Sequence, residues 1–358
     1  MKKRLTDLLM DLKNLPFEEE EARLAVQKAT EQVLSDEALL SAAQKHYDAL
    51  FGGEMLGREI ILWEDKEADA KLGDSMIFTV VLFARACALE KEKAYLYDGK
   101  TVGFYKALMR HFGVNICRNK SYGMQEAQRF WAYCYVKPIS FELGRLAFEI
   151  LDYHYDYTVF KNPLTKEHFP FANGGQTFDK AGLPDSEGSF TTTLEVAGDT
   201  VCGYTYTDLG HLDFEKKTVA GVLPVLSAGD KAIAVHMPGN AKLDAESISA
   251  SIESAKVFFS NYFPQLDYKA FVSSSWLLDT GLRQFLKEDS NIVKLQKRFR
   301  IALAFKNDFS LYDNIFNVPK CPIEELVPQN RFQQNVLDML KVGGSLYSGR
   351  GYILKEEL

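Results

Sequence analysis

The chain has 358 residues, of which 46% are hydrophobic and 25% charged, a composition of folded globular proteins with material for about two domain cores. A net charge of -7, a pI near 5.5 and no cluster of Lys and Arg exclude a nucleic-acid surface, which must neutralise phosphates with basic side chains. The longest apolar run, residues 76–84, is too short to cross a bilayer, and Asp7, Asp11 and Lys13 interrupt the apolar core a signal peptide would need. A cytoplasmic location without membrane contact is therefore expected.

Up to about residue 140 the apolar residues recur in helical period. Residues 1–15 form a short amphipathic stretch. After Pro16, four glutamates at 18–21 suit the positive end of a helix whose apolar stripe is Ala22, Ala25, Ala29 and Val33. Ser35 is expected to cap the next helix, which passes through Leu39, Ala43 and Leu50 and stops at Gly52 and Gly53. Further helices are predicted around 74–92, 101–112 and 123–136, giving a helical domain over residues 1–140.

Beyond Pro138 the period becomes two, and β-branched and aromatic residues dominate. "GRLAFEIL", "YDYTVF", "SFTTTLEV", "TVCGYTYT" and "KAIAVHM" read as strands separated by Asn, Gly, Asp and Pro turns. From residue 231 the order is strand, helix (about 244–262), strand "YKAFVSSSW", short helix (about 280–287) and one long strand, "NIVKLQKRFRIALAF". Crossover connections imply some parallel pairing, so the sheet should be mixed. A last helix carries Phe332, Val336, Met339 and Leu340 on one face, and "SLYSGRGYIL" reads as a terminal strand. The predicted class is α+β, with the second domain over 141–358.

Five cysteines without CxxC spacing and six histidines without HExxH indicate neither a disulfide framework nor a metal site, and the thiols are expected to be buried. The 25 Phe, 17 Tyr and 3 Trp serve packing first and a ligand cleft second. Alternation along "ELGRLAFEI" puts Arg145 and Glu149 on one face, as a structural ion pair or as contacts for a substrate carboxylate or amine. Asp279 reads as a helix cap, Asn291 as a turn residue leading into a strand, and "SGRG" as a flexible turn.

Five stretches, "ISFELGRLAFEI", "AVHMPGN" followed by "LDAES", "AFVSSSWLLD", "SNIVKLQKRF" and "GGSLYSGRGYI", resemble a bacterial two-domain family in which a helical N-terminal domain precedes a GNAT-like C-terminal domain. That resemblance implies a GNAT-like mixed sheet flanked by helices, and acetyl-CoA or another acyl-CoA as co-substrate. In GNAT enzymes a Q/R-x-x-G-x-G/A loop cradles the pyrophosphate with backbone amides. Here His236, Gly239 and Ala241 occupy the three places, with Met237 and Asn240 in the same loop. His236 replaces the usual Gln or Arg, and Asp244 and Glu246 put carboxylates at the helix end that should receive a phosphate, which favours a capped turn as the competing reading.

Transfer to an amine needs a base, oxyanion donors and an acid for the departing thiolate. His236 is the candidate base, because histidine exchanges protons near neutrality, with a hydrogen-bonded structural histidine as the alternative. The helix tyrosine that often serves as acid has no counterpart between Trp276 and Asp289. Ser275 is the candidate in its place, with Trp276, Arg145 and Glu149 as substrate contacts. The resemblance thus implies an acyl-CoA-dependent N-acyltransferase acting on a small-molecule amine. The alternative is a catalytically degenerate GNAT-like module that binds a small metabolite or a partner protein.

Overall fold

The first unit, Met1–Leu143, holds the helices α1 (Lys2–Asp11), α2 (Glu20–Ser35), α3 (Glu37–Gly52), α4 (Lys66–Leu72), α5 (Met76–Lys91), α6 (Phe104–Asn119) and α7 (Glu126–Val136). A two-residue hairpin, β1 (Leu96–Tyr97) with β2 (Lys100–Thr101), and a strand, β3 (Ser140–Leu143), complete it. The structure is a computed structural model and describes residues 1–15, 17–53, 59–60, 63–239, 243–307, 310–318 and 320–358. Helix α5 contains the apolar run and is buried on every side, from Met76 through Leu89. A helix without a polar face must be surrounded, and α1, α2, α3, α6 and α7 all pack on it. No single helix is long and apolar enough to cross a membrane among the described residues.

Three details of the helical reading change. The buried stripe of α2 is Ala22, Val26, Ala29 and Val33, with Ala25 at its margin. Ser35 still belongs to α2, and Asp36 caps α3, its carboxylate accepting from the Ala38 and Leu39 amides at 2.9 and 3.1 Å. Helix α6 also runs past Gly113, because buried Asn115 locks the following loop by donating to the Ser121 and Gly123 carbonyls and accepting from the Gln125 amide.

The second unit, Gly144–Leu358, contains β4 (Leu146–Asp152), β5 (Tyr157–Lys161), β6 (His168–Ala172), β7 (Thr177–Phe178), β8 (Phe190–Thr191), β9 (Glu195–Ala197), β10 (Thr200–Tyr206), β11 (Leu212–Val219), β12 (Leu223–Leu226), β13 (Lys231–His236), β14 (Ala270–Ser275), β15 (Arg300–Lys306) and β16 (Tyr347–Leu354). One antiparallel sheet has the order β11-β10-β6-β5-β12, with β9 beside β10. The other runs β15-β16-β14-β13-β4 and is mixed: β13 and β14 are parallel and the remaining pairs antiparallel. The parallel pair needs a crossover, supplied by helix α8 (Ala245–Tyr262). Phe259 of α8 packs on Phe148, and Phe148 on Phe271, along one face of the mixed sheet. The opposite face meets the antiparallel sheet in a core of Tyr153, Tyr157, Val159, Phe178, Ala234, Val272 and Tyr352.

The long strand predicted over 291–305 is two elements. Residues Asn291–Gln296 form helix α9, capped by Ser290, whose hydroxyl accepts from the Val293 amide, and only Arg300–Lys306 is strand. Asn291 therefore opens a helix. The side chain of Gln296 is buried and donates to the Leu277 and Asp279 carbonyls, an attachment that apolar spacing does not encode. Helix α10 (Arg331–Lys341) precedes β16. None of the five cysteines is in a disulfide, but only Cys87 and Cys134 are buried and Cys117 is exposed, which corrects the expectation of uniformly buried thiols.

Candidate functional site

The parallel ladder between β13 and β14 covers Ala232↔Ala270, Ile233↔Phe271 and Ala234↔Val272, while the strands continue to His236 and Ser275. At the next step a side chain bridges them: the Ser273 hydroxyl donates to the Val235 carbonyl at 2.8 Å. His236 ends β13. It pairs across the ladder with Ala147, and Ala234 with Glu149, so His236 and Glu149 are diagonal neighbours on one face. Their side chains meet at 2.7 Å between Nε2 and Oε2, half-buried on both sides.

Alternation carries the same face across the sheet. Val272 stands beside Ala234, and Ser274 is paired with Arg350 of β16. The Arg350 guanidinium donates to Asp156 at 2.5 Å and lies over the rings of Tyr155 and Phe305, while its buried Nε has no hydrogen-bond partner among the described residues. Burial pushes the Tyr155 hydroxyl far above the usual phenol range. The Arg350 charge opposes that rise and the Glu149 charge adds to it, so Tyr155 is a proton-bearing group near both. Arg350, Asp156 and Tyr155 were not singled out in the sequence.

"SGRG" is accordingly not a flexible turn. It lies inside β16, and its glycines face tight neighbours: a Cβ at Gly349 would sit 2.3 Å from the Leu278 carbonyl oxygen, and one at Gly351 3.1 Å from Phe299 Cβ. Glycines flanking an arginine in a strand are the signal that identifies this position, since close backbone approach on one face leaves the charged residue facing the other.

The remaining predicted residues disperse. Arg145 lies in the Gly144–Arg145 turn rather than on β4 beside Glu149, and its amide donates to Ser251 Oγ at 2.7 Å. Ser275 Oγ accepts from the Leu277 amide at 3.2 Å and so caps the turn that follows β14. Trp276 packs on Phe332 within an apolar cluster containing Leu282, Leu311 and Val336. Asp279 is a cap as read, accepting from Gly281 and also from the Tyr347 amide. Burial raises its carboxyl above the usual range, the two amide bonds opposing the rise.

Of the loop, Met237 and Gly239 follow β13 without regular structure, and Asn240 and Ala241 lie outside the described residues. Gly239 is exposed, has no left-handed φ, and a Cβ there would meet nothing within 4 Å among the described residues, none of which requires glycine there. Asp244 caps α8, accepting from the Ser247 amide at 2.9 Å.

The family model described as the GNAT-like C-terminal domain matches residues 141–353. The chain belongs to this family. Among curated proteins no sequence matches. The fold is shared with three solved structures: an acyltransferase in complex with decanoyl-CoA and teicoplanin (17% identity, TM-score 0.57, 95% of this chain and 89% of that one), an acyltransferase in complex with decanoyl-CoA (18%, 0.57, 96% and 89%), and an acyltransferase in complex with CoA and 10C-teicoplanin (17%, 0.55, 95% and 89%). The protein is thus α+β, a helical N-terminal region followed by a GNAT-like mixed sheet flanked by helices. In this GNAT-like domain the His236–Glu149 pair stands where the two parallel strands stop pairing. A carboxylate against an imidazole is an arrangement for moving a proton: the carboxylate holds the ring and stabilises the imidazolium once the ring has taken a proton.

Proposed function

We propose that the protein is an acyl-CoA-dependent N-acyltransferase, with His236 as base and Glu149 as the group that orients it. The observation that carries this reading is the 2.7 Å His236–Glu149 contact at the end of β13, beside the divergence from β14. The three structures of the same fold with CoA or decanoyl-CoA bound support the donor class. His236 takes a proton from the acceptor ammonium, and the freed lone pair attacks the thioester carbonyl carbon. The C–N bond forms, the C–S bond breaks, and the departing CoA thiolate takes up the second proton that the nitrogen gives up on becoming an amide, while the proton held by His236 passes to water. Glu149 stabilises the imidazolium. The acceptor is a small-molecule amine, and Met237 and Gly239 belong to the loop that presents amides to the pyrophosphate.

A second reading, a GNAT-like module that binds ligand without turnover, is favoured by two side chains already engaged: Ser275 in capping the turn after β14, and Asp244 in capping α8. Thermal unfolding with CoA, acetyl-CoA and decanoyl-CoA separates the two readings, since a ligand at a hundred times its Kd adds about 2.7 kcal/mol of apparent stability, and no shift with any of them favours a module for another small metabolite or a partner protein. Gly239→Val then locates the ligand. A Cβ there meets no atom of the described residues within 4 Å, so the variant should fold as the wild type does and yet bind acyl-CoA more weakly by calorimetric titration. Wild-type affinity in that variant removes the loop from the donor site. Binding without release of CoA in the presence of amines would establish the module.

A further inference from the structure

The face of the mixed sheet that carries His236 and Glu149 holds a further polar side chain, Ser274 of β14. Ala234 is paired with Val272, and residues two apart on a strand share a face, so Ser274 stands in line with His236. On its other side it is paired with Arg350 of β16. A position with a strand on each side favours a large or β-branched residue, and Val272, two residues earlier on the same face, is fully buried in the inter-sheet core. Ser274 is small and exposed. It therefore floors a recess, walled on one side by the half-buried His236–Glu149 pair and on the other by Arg350.

The neighbouring donors are already engaged. Ser273 and Ser275 belong to the opposite face by alternation, the first donating to the Val235 carbonyl and the second capping the turn after β14. Arg350 Nη1 is held by Asp156, and the guanidinium lies over the Tyr155 and Phe305 rings. The Ser274 hydroxyl has no hydrogen bond among the described residues. Its separation from His236 also suits a reacting group. The Ser273–Val235 bond ties β13 to β14 one step before the two residues, so their backbones stand about one strand spacing apart, about 4.8 Å or somewhat more. An amine about 3 Å from the imidazole, attacking a carbonyl carbon about 3 Å farther on, leaves the carbonyl oxygen within reach of a hydroxyl so placed.

We propose that the Ser274 hydroxyl donates a hydrogen bond to the thioester carbonyl oxygen in the acyl transfer proposed above for His236, a role that rests on that reading. As the C–N bond forms, the oxygen gains negative charge and the bond from Ser274 strengthens; as the C–S bond breaks, the charge departs with the sulfur. No proton leaves Ser274, and a fixed donor aimed at developing charge lowers the barrier. The test needs no acceptor. The full chain is titrated with [1-13C]acetyl-CoA and [1-13C]decanoyl-CoA, and the thioester carbon is followed by 13C NMR. A hydrogen bond to the carbonyl oxygen should move that signal downfield at saturation with at least one donor. Ser274→Ala, at an exposed position without bonds to hold, should keep the wild-type denaturant midpoint, lose most of the displacement, and bind at most about tenfold more weakly by calorimetric titration. Ser274→Thr keeps a hydroxyl on a side chain suited to a strand and should keep the displacement. Failure of both donors to bind would defeat the acyl-CoA reading and the role of Ser274 with it. Binding with an undisplaced signal, an equal displacement in Ser274→Ala, or its loss in Ser274→Thr as well would overturn the role of Ser274 alone and leave the donor class standing.

Discussion

His236 and Glu149 share one hydrogen bond, so two substitutions of Glu149 separate position from charge. Glu149→Gln keeps an acceptor for the imidazole but not the carboxylate, whereas Glu149→Ala loses both. With the pair acting on the acceptor amine, kcat should fall about tenfold in the first and about a hundredfold or more in the second and in His236→Ala, with acyl-CoA affinity unchanged, in the range usual for proton-transfer groups. Steady-state rates with calorimetric titration measure both quantities, and an undiminished kcat in Glu149→Ala would remove the pair from the chemistry. His111 is a histidine of another kind. Burial lowers its pKa to about 4, the Gln128 bond opposing and Arg110 adding to the fall, while the unfolded side chain titrates near 6.5. Between those values the unfolded chain holds the extra proton, so stability present above pH 6.5 is lost as pH falls, by about 3 kcal/mol at pH 4. Urea unfolding across that window should show the slope in the wild type and lose that contribution in His111→Asn. Identical profiles would mean that other groups set the acid sensitivity.

Strand β16 shows what an element does with glycine that a turn does not. At Gly349 the strand passes so close to the residues after β14 that a methyl group would lie 2.3 Å from the Leu278 carbonyl oxygen, a backbone atom that cannot rotate away. Gly349→Ala should cost about 1–3 kcal/mol, as overpacking of a close contact does. Gly239→Ala meets nothing within 4 Å among the described residues and has no left-handed φ, so it should be neutral or gain up to about 1 kcal/mol from a less flexible unfolded chain. Denaturant midpoints of the two variants check the contrast, and equal stabilities would refute the packing argument at Gly349. The same close approach explains why "SGRG" resembles a loop in sequence: its glycines answer to partners distant in the chain. Helix α9 is the converse, a six-residue helix whose Ile292, Val293 and Leu295 pass for a strand until the Ser290 cap and the inward attachment of Gln296 are seen.

Across the whole molecule, legibility follows the range of the interaction. The apolar helix α5, the crossover β13-α8-β14 and the mixed sheet follow from local periodicity and could be read directly. His236 and Glu149 were each visible, but their contact depends on the antiparallel register of β4 with β13, which residue spacing alone does not supply. Arg350, 194 residues from Asp156, was further out of reach. The change of period after Pro138 has a physical counterpart that can be tested. Residues up to Leu143 are held by helix packing around α5, and those from Gly144 onward by two sheets with their own inter-sheet core. A chain cut between Leu143 and Gly144 should therefore yield one piece with the circular dichroism of α-helix and one dominated by strand. Among the described residues the first keeps only the β1–β2 hairpin as paired strand, too little to contribute a strong β spectrum. A strong β signal from residues 1–143 would show that the division of secondary structure between the two halves is wrong.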